Sequence, residues 1–273
     1  MRMSRRVFPA ESSVVAEVTP SPNHSERNGN QRPDMILLHY TGMPDAGMAL
    51  ERLCSAGSEV SAHYLVLEDG RVTQMVPENR RAWHAGAASW AGETDINSCS
   101  IGIEIVNPGH DYGYPDFPTR QIAAVTTLCR GIQTRNTISP TRVLAHSDVA
   151  PSRKLDPGEK FPWHTLWDSG VGHWVKPAGI SEEGAVLALG DRGEAVREMQ
   201  DALAKYGYGI TVSGTFDSKT YDVVKAFQRH FRPERIDGIS DHSTRVTLRE
   251  LIAQQGRIRT IAARARDFAR LAS

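Results

Sequence analysis

The chain has 273 residues, 40% hydrophobic and 23% charged, enough for one or two ordinary globular domains, each with its own core. Lysine plus arginine and aspartate plus glutamate both total 32, so no global basic field exists to hold nucleic acid or an anionic membrane. The cysteines, Cys54, Cys99 and Cys129, are odd in number and form no CxxC, which excludes a full disulfide framework and fits buried thiols in a reducing compartment.

Residues 1–30 form a polar leader rich in Ser, Pro, Asn and Glu, expected to be flexible or loosely docked. Its basic start is followed by a stretch broken by Pro9, Glu11, Ser12, Ser13 and Glu17, so the apolar centre of a signal peptide is missing. No apolar run approaches the ~18 residues that span a bilayer. As written the chain reads as cytoplasmic, with a periplasmic location the alternative if the start codon lies upstream. Without a heptad run or a long exposed apolar stretch, a monomer is expected.

From Met35 the pattern changes. Met35 to Tyr40 is a short apolar run, read as a buried strand. Ala46 to Leu53 reads as a helix. Ala62 to Leu67 and Arg71 to Val76 read as strands joined by the Asp69-Gly70 turn. Ser100 to Val106 is a further strand. Ile122, Val125, Leu128, Cys129 and Ile132 recur at helical spacing over about Thr119 to Thr134. Arg142 to Ala145 is a short strand, followed by a loop of Pro, Asp and Lys. Strands and helices alternate, which predicts an α/β fold with a mixed central sheet flanked by helices over residues 31–178.

Residues 179–190, rich in Gly and Ala, read as a linker. Residues 191–255 read as a small three-helix domain: Glu194 to Tyr206, Ser218 to Phe231 and Ser243 to Ile252 each carry an apolar face, with turns at Gly214 and Asp237-Gly238. Tyr206, Tyr208 and Phe216 cluster near one turn, and wall binding and pure scaffolding both remain open for this unit. Residues 256–273 read as a basic helical tail.

Two histidines close apolar strands: His39 after Ile36-Leu37-Leu38 and His146 after Val143-Leu144-Ala145. The loop after His146 adds Asp148, Lys154 and Asp156. A catalytic zinc needs three protein ligands and an open position, and His39, His146 and one of these Asp residues make such a set. In Ile101-Gly102-Ile103-Glu104-Ile105 the isoleucines face one way and Gly102 and Glu104 the other. A Glu inside so apolar a strand is costly unless it is paired or faces a site, and Gly102 beside it leaves room for another group to approach.

These segments resemble a known family. LLHYTG at His39, VSAHYLVLEDG, AWHAG at Ala82 to Gly86, SIGIEIVN and AHSDVAPSRKLDPG are similar, in order and spacing, to the type-2 N-acetylmuramoyl-L-alanine amidases, in the branch that contains AmpD and AmiD. The resemblance covers about residues 33–178. AFQRHFRP at Ala226 to Pro233 is similar to the peptidoglycan-binding-like domain that follows some of these amidases.

The resemblance implies Zn2+ on His39, His146 and Asp156, Glu104 as the catalytic carboxylate and Lys154 as the cation near the oxyanion. It places Trp83 and His84 in the substrate cleft, with His63 beside them as a substrate-binding or supporting residue. The implied reaction cuts the bond between (anhydro-)N-acetylmuramic acid and L-alanine, with peptidoglycan or its fragments as partner. The rival reading is a peptidoglycan-recognition protein of the same fold that does not cut; such proteins lack part of the set kept here. A zinc peptidase acting within the stem peptide would bring an HExxH, which is missing.

Overall fold

A computed structural model describes residues 8–181 and 184–271, with side chains outside the description for residues 30 and 259–271. The chain divides into two compact units, one ending at His173 and the other beginning at Trp174.

The first unit contains strands β1 (Val15–Val18), β2 (His24–Glu26) and β3 (Met35–Tyr40), helix α1 (Ala46–Cys54), and strands β4 (Tyr64–Val66), β5 (Val72–Gln74) and β6 (Arg80–Ala82). Then come the short helix α2 (Ile96–Cys99), strand β7 (Ser100–Ile105), helix α3 (Thr119–Asn136), strand β8 (Val143–Ala145) and the short helices α4 (His146–Val149) and α5 (Trp163–Asp168). Six strands form one sheet in the order β1-β5-β4-β7-β3-β8; only β4 and β5 run antiparallel, joined by the expected turn at Gly70. Strands β2 and β6 form a separate antiparallel pair.

The sheet is mixed and mostly parallel, as the alternation of elements predicted. Strand β3 lies in the middle of the β7-β3-β8 block and its Met35 to Leu38 are fully buried, which is why it reads as a continuous apolar run. Helix α3 lies against β4 and buries Ile122, Val125, Leu128, Cys129 and Ile132. Gln121 reaches past that stripe and donates to the carbonyls of Val66 and Val106. Helix α1 starts on its cap Asp45, whose carboxylate accepts from Met48 N. It packs Leu53 and Cys54 into a cluster with Leu65, Met75 and Val106. The cysteines are buried thiols outside any disulfide. Among the described residues, no helix is long and apolar enough to cross a membrane.

The leader departs from expectation. Residues 1–7 lie outside the described residues. Beyond them, β1 adds to the sheet beside β5, and β2 pairs with β6. The anchors are polar, so hydropathy did not signal them. Ser21 Oγ donates to Leu53 O, and Asn23 donates to the carbonyls of Ser55 and Val60. Arg27 is buried and donates to the carbonyls of Glu78, Asn97 and Ser98 at 2.7–3.2 Å. Burial lowers its guanidinium to about 10, which leaves it charged at neutral pH.

The second unit contains α6 (Glu194–Tyr206), α7 (Ser218–Phe231) and α8 (His242–Leu271). The third helix runs without a break into the stretch read as a separate tail. Tyr206, Tyr208 and Phe216 are buried, so the aromatic cluster is core and not a sugar-stacking face. Part of the expected linker belongs to this unit: Leu187 pairs with Ser240, Gly190 N donates to Phe216 O and Arg245 donates to Ala185 O. A short internal repeat escaped the sequence reading. Buried Gln200 accepts from Gly214 N and donates to Thr220 Oγ1; buried Gln228 accepts from Gly238 N and donates to Thr244 Oγ1. Each glutamine bolts a helix to the turn that follows it, and replaces water on backbone groups that would otherwise be buried unpaired.

Arg27→Met removes the charge and orphans three buried carbonyls while keeping an apolar stem. It should destabilise the first unit by about 2–4 kcal/mol in denaturant unfolding. A loss under about 0.5 kcal/mol would show that the leader is only loosely docked.

Candidate metal centre

The parallel register of β3 and β7 places His39 beside Glu104, and β8 on the other side of β3 ends one residue before His146. Three strands thus deliver chemistry at their carboxyl ends, where loops leave an α/β sheet. The loop after α4 returns Asp156 to the same point. His39 Nδ1 lies 2.9 Å from His146 Nδ1 and 3.0 Å from Asp156 Oδ2, and His146 Nδ1 lies 2.9 Å from that oxygen. All three residues are buried. The choice between the two aspartates is visible here. Asp148 turns away and accepts from Ala145 N at 2.8 Å, at the start of α4.

Burial, then the neighbouring His146, lowers the His39 imidazole to about 4, so it is neutral at neutral pH. Burial alone would raise the Asp156 carboxyl, but His146 and His39 more than reverse that and hold it below the usual carboxylate range. A neutral His39 imidazole and an ionised Asp156 carboxylate are protonation states that a metal requires of its ligands. His146 Nε2 is 2.9 Å from Ala85 O, and a carbonyl only accepts, so its Nδ1 carries the lone pair. An acceptor triangle of nitrogen, nitrogen and carboxylate oxygen is the donor set of a catalytic zinc, and the residues fit that ion.

A cleft of about 440 Å³ opens over this triangle, and Glu104, Lys154, Trp83 and His84 also line it. Glu104 Oε2 is buried and accepts no hydrogen bond from any described residue. Burial first, and the charge of Asp156 second, push its carboxyl well above the usual range, while Lys154 opposes the shift. A carboxyl with one idle oxygen facing a cleft is equipped to exchange a proton.

The space left by Gly102 is filled by His84. A Cβ at position 102 would sit 2.5 Å from the His84 ring. His63 does not line the cleft. It is fully buried; its Nδ1 accepts from Gly102 N at 2.9 Å and its Nε2 faces Arg80 O at 3.0 Å. Burial, then the charge of Arg27, lowers it to about 3. Arg27 Nη2 lies 3.2 Å from the same Nε2, so both ring nitrogens face groups of the fold and His63 is absent from the cleft lining. The sequence reading missed Tyr40, Arg52, Asp111 and Arg153 on the cleft wall. Of these, Tyr40, next to His39, and Arg153, next to Lys154, lay within motifs that marked the site.

Residues 29–159 match the N-acetylmuramoyl-L-alanine amidase family, and residues 192–248 match the putative peptidoglycan binding domain family. The chain is 35% identical over 237 residues to the N-acetylmuramoyl-L-alanine amidase AmiD of Escherichia coli strain K12, covering 82% of this chain and 84% of that protein. It is 34% identical over 166 residues to the 1,6-anhydro-N-acetylmuramyl-L-alanine amidase AmpD of Citrobacter freundii, covering 54% of this chain and 86% of AmpD. A solved structure of E. coli AmiD in complex with the substrate anhydro-N-acetylmuramic acid-L-Ala-D-gamma-Glu-L-Lys superposes with a TM-score of 0.71 at 32% identity, covering 86% of this chain and 98% of that one.

The raised Glu104 carboxyl has a consequence for the metal-stripped protein. Below about pH 4.5 it is protonated in both folded and unfolded chains and its shift has no effect. Above that pH the unfolded chain releases the proton more readily, so the fold loses stability as pH rises. Glu104→Gln should therefore melt about 2–4 °C above the wild type at neutral pH, with the gap closing in acid. Equal melting temperatures at neutral pH would contradict the buried-carboxylate assignment.

Proposed function

Because the chain belongs to the N-acetylmuramoyl-L-alanine amidase family, we propose that it hydrolyses the amide joining (anhydro-)N-acetylmuramic acid to the L-alanine of a peptidoglycan stem peptide, with zinc on His39, His146 and Asp156. The observation that carries the reading is the meeting, over one cleft, of that ligand triangle with the unpartnered Glu104 oxygen and the Lys154 side chain. The substrate class is carried over from the AmiD complex, which holds an anhydro-muramoyl tripeptide.

When bound, zinc supplies Lewis-acid polarisation of the scissile carbonyl and a more acidic water. Glu104 takes the proton of the attacking water on its idle oxygen and returns it to the departing L-alanine nitrogen. Its raised proton affinity suits the second half of that exchange. Lys154 places a positive charge where the carbonyl oxygen becomes negative. Trp83 borders the same cleft and offers an apolar wall for the substrate. A recognition protein would need neither the proton carrier nor the cation. For residues 192–248 we infer peptidoglycan binding, supported by their match to the putative peptidoglycan binding domain family.

Incubation of the zinc-loaded protein with an anhydro-muramoyl tripeptide, followed by mass spectrometry, should show free tripeptide and the intact anhydro sugar. Glu104→Gln should lower kcat about 10²–10⁴-fold and Lys154→Ala about 10²-fold, both with zinc still bound. No release by the zinc-loaded wild type would overturn the reading in favour of recognition without cleavage. A Lys154→Ala variant of normal rate would remove Lys154 from the mechanism.

A further inference from the structure

The reading above uses one nitrogen of each ligand histidine. The other two both end on residues 84–85. His146 Nε2 donates to Ala85 O at 2.9 Å, which settles its tautomer directly. For His39 the polarity is set three links away. Ser100 Oγ donates to Ile96 O at 2.5 Å, which uses the single proton the hydroxyl has. His84 Nε2 lies 3.3 Å from the same Oγ and must therefore be the donor. A neutral imidazole protonated on Nε2 has a bare Nδ1, and His84 Nδ1 is 3.1 Å from His39 Nε2. His39 then donates from Nε2 and keeps a lone pair on Nδ1, the atom that meets His146 and Asp156. The relay ends on a backbone carbonyl, which has no proton to give, so reversing it requires the Ser100 hydroxyl to release Ile96 O.

The relay is also held in place. Asn97 Oδ1 accepts from His84 N at 3.0 Å and from Ala85 N at 2.9 Å, which fixes the segment that serves both ligands. Gly102 admits the His84 ring where any larger residue would strike it. Short helix α2 supplies Asn97 and the Ile96 carbonyl, and β7 begins with Ser100, so one turn of chain anchors the whole arrangement.

We propose that His84 is a positioning residue of the metal centre, which through Ser100 fixes the His39 tautomer that offers Nδ1 to the ion, and is not a substrate-selecting residue. The proposal rests on the zinc reading of His39, His146 and Asp156. Partners of this kind orient a ligand ring, and their loss typically weakens metal binding 10–100-fold.

Two measurements test it. Long-range ¹H–¹⁵N correlation spectra of the unaltered, metal-stripped protein read the tautomers without any variant. Protons on Nε2 of both His39 and His84 are expected, and a proton on His84 Nδ1 would overturn the relay. Chelator competition then measures the affinity for Zn2+ alone. His84→Leu should weaken it about 10–100-fold, while His84→Asn, whose Oδ1 replaces the Nδ1 acceptor, should stay within about threefold of wild type. Ser100→Ala, which leaves the His84 ring in place, should lie between them. At saturating zinc the KM for an anhydro-muramoyl tripeptide should not move. Unchanged zinc affinity with a raised KM in His84→Leu would make His84 a substrate residue and overturn the proposal. A wild type that binds no zinc would instead sink the reading of the site, and the tautomer spectra would still judge the relay.

Discussion

Three lone-pair-bearing atoms meet within 2.9–3.0 Å of one another in a buried place, and the rest of the catalytic unit is arranged around that meeting. Two bare imidazole nitrogens and a carboxylate oxygen repel one another unless a cation lies among them. The fold has to hold them there against that repulsion. It does so with backbone: β3 and β8 are adjacent parallel strands, so the histidines that follow their apolar runs share one end of the sheet. Strand β3 is paired on both sides, with β7 and with β8, and its Met35 to Leu38 are fully buried. The same pairing leaves Glu104, in register with His39, facing the cleft with an oxygen that no described residue satisfies.

Support for this centre comes from residues that never reach the ion. Residues 83–86 serve it twice, through a side chain and through a carbonyl. Arg153 also donates to the Ala85 and Ala87 carbonyls, which ties the loop that carries Lys154 and Asp156 to the same segment. Arg27 then binds the carbonyls of Asn97 and Ser98 in α2. The leader is thus coupled to the site through hydrogen bonds.

That coupling explains what could be read from the sequence and what could not. The apolar run ending in His39 and the alternation that isolates Glu104 were legible, because strand burial and strand period are written in hydropathy. Helices α3, α6 and α7 were legible for the same reason. Asp148 and Asp156 were indistinguishable until the loop geometry turned one to Ala145 N and the other to the histidines. Ser21, Asn23 and Arg27 dock the leader through polar atoms, which look like solvated chain in one dimension. Gly102 was seen as leaving room, but only the fold shows that the room is taken by His84. His63 sits in a motif beside the site, yet its nitrogens face Gly102 N, Arg80 O and the Arg27 guanidinium, and no pattern of residue types distinguishes that from a cleft residue.

The central claim is that the triangle is a zinc site made of two imidazoles and one carboxylate. X-ray absorption at the zinc edge of the loaded protein tests it most directly. The account predicts one zinc per chain, with nitrogen and oxygen neighbours at about 2.0–2.2 Å and the multiple-scattering signature of two imidazoles. A sulfur neighbour at about 2.3 Å, or a single imidazole, would place the metal elsewhere and contradict it.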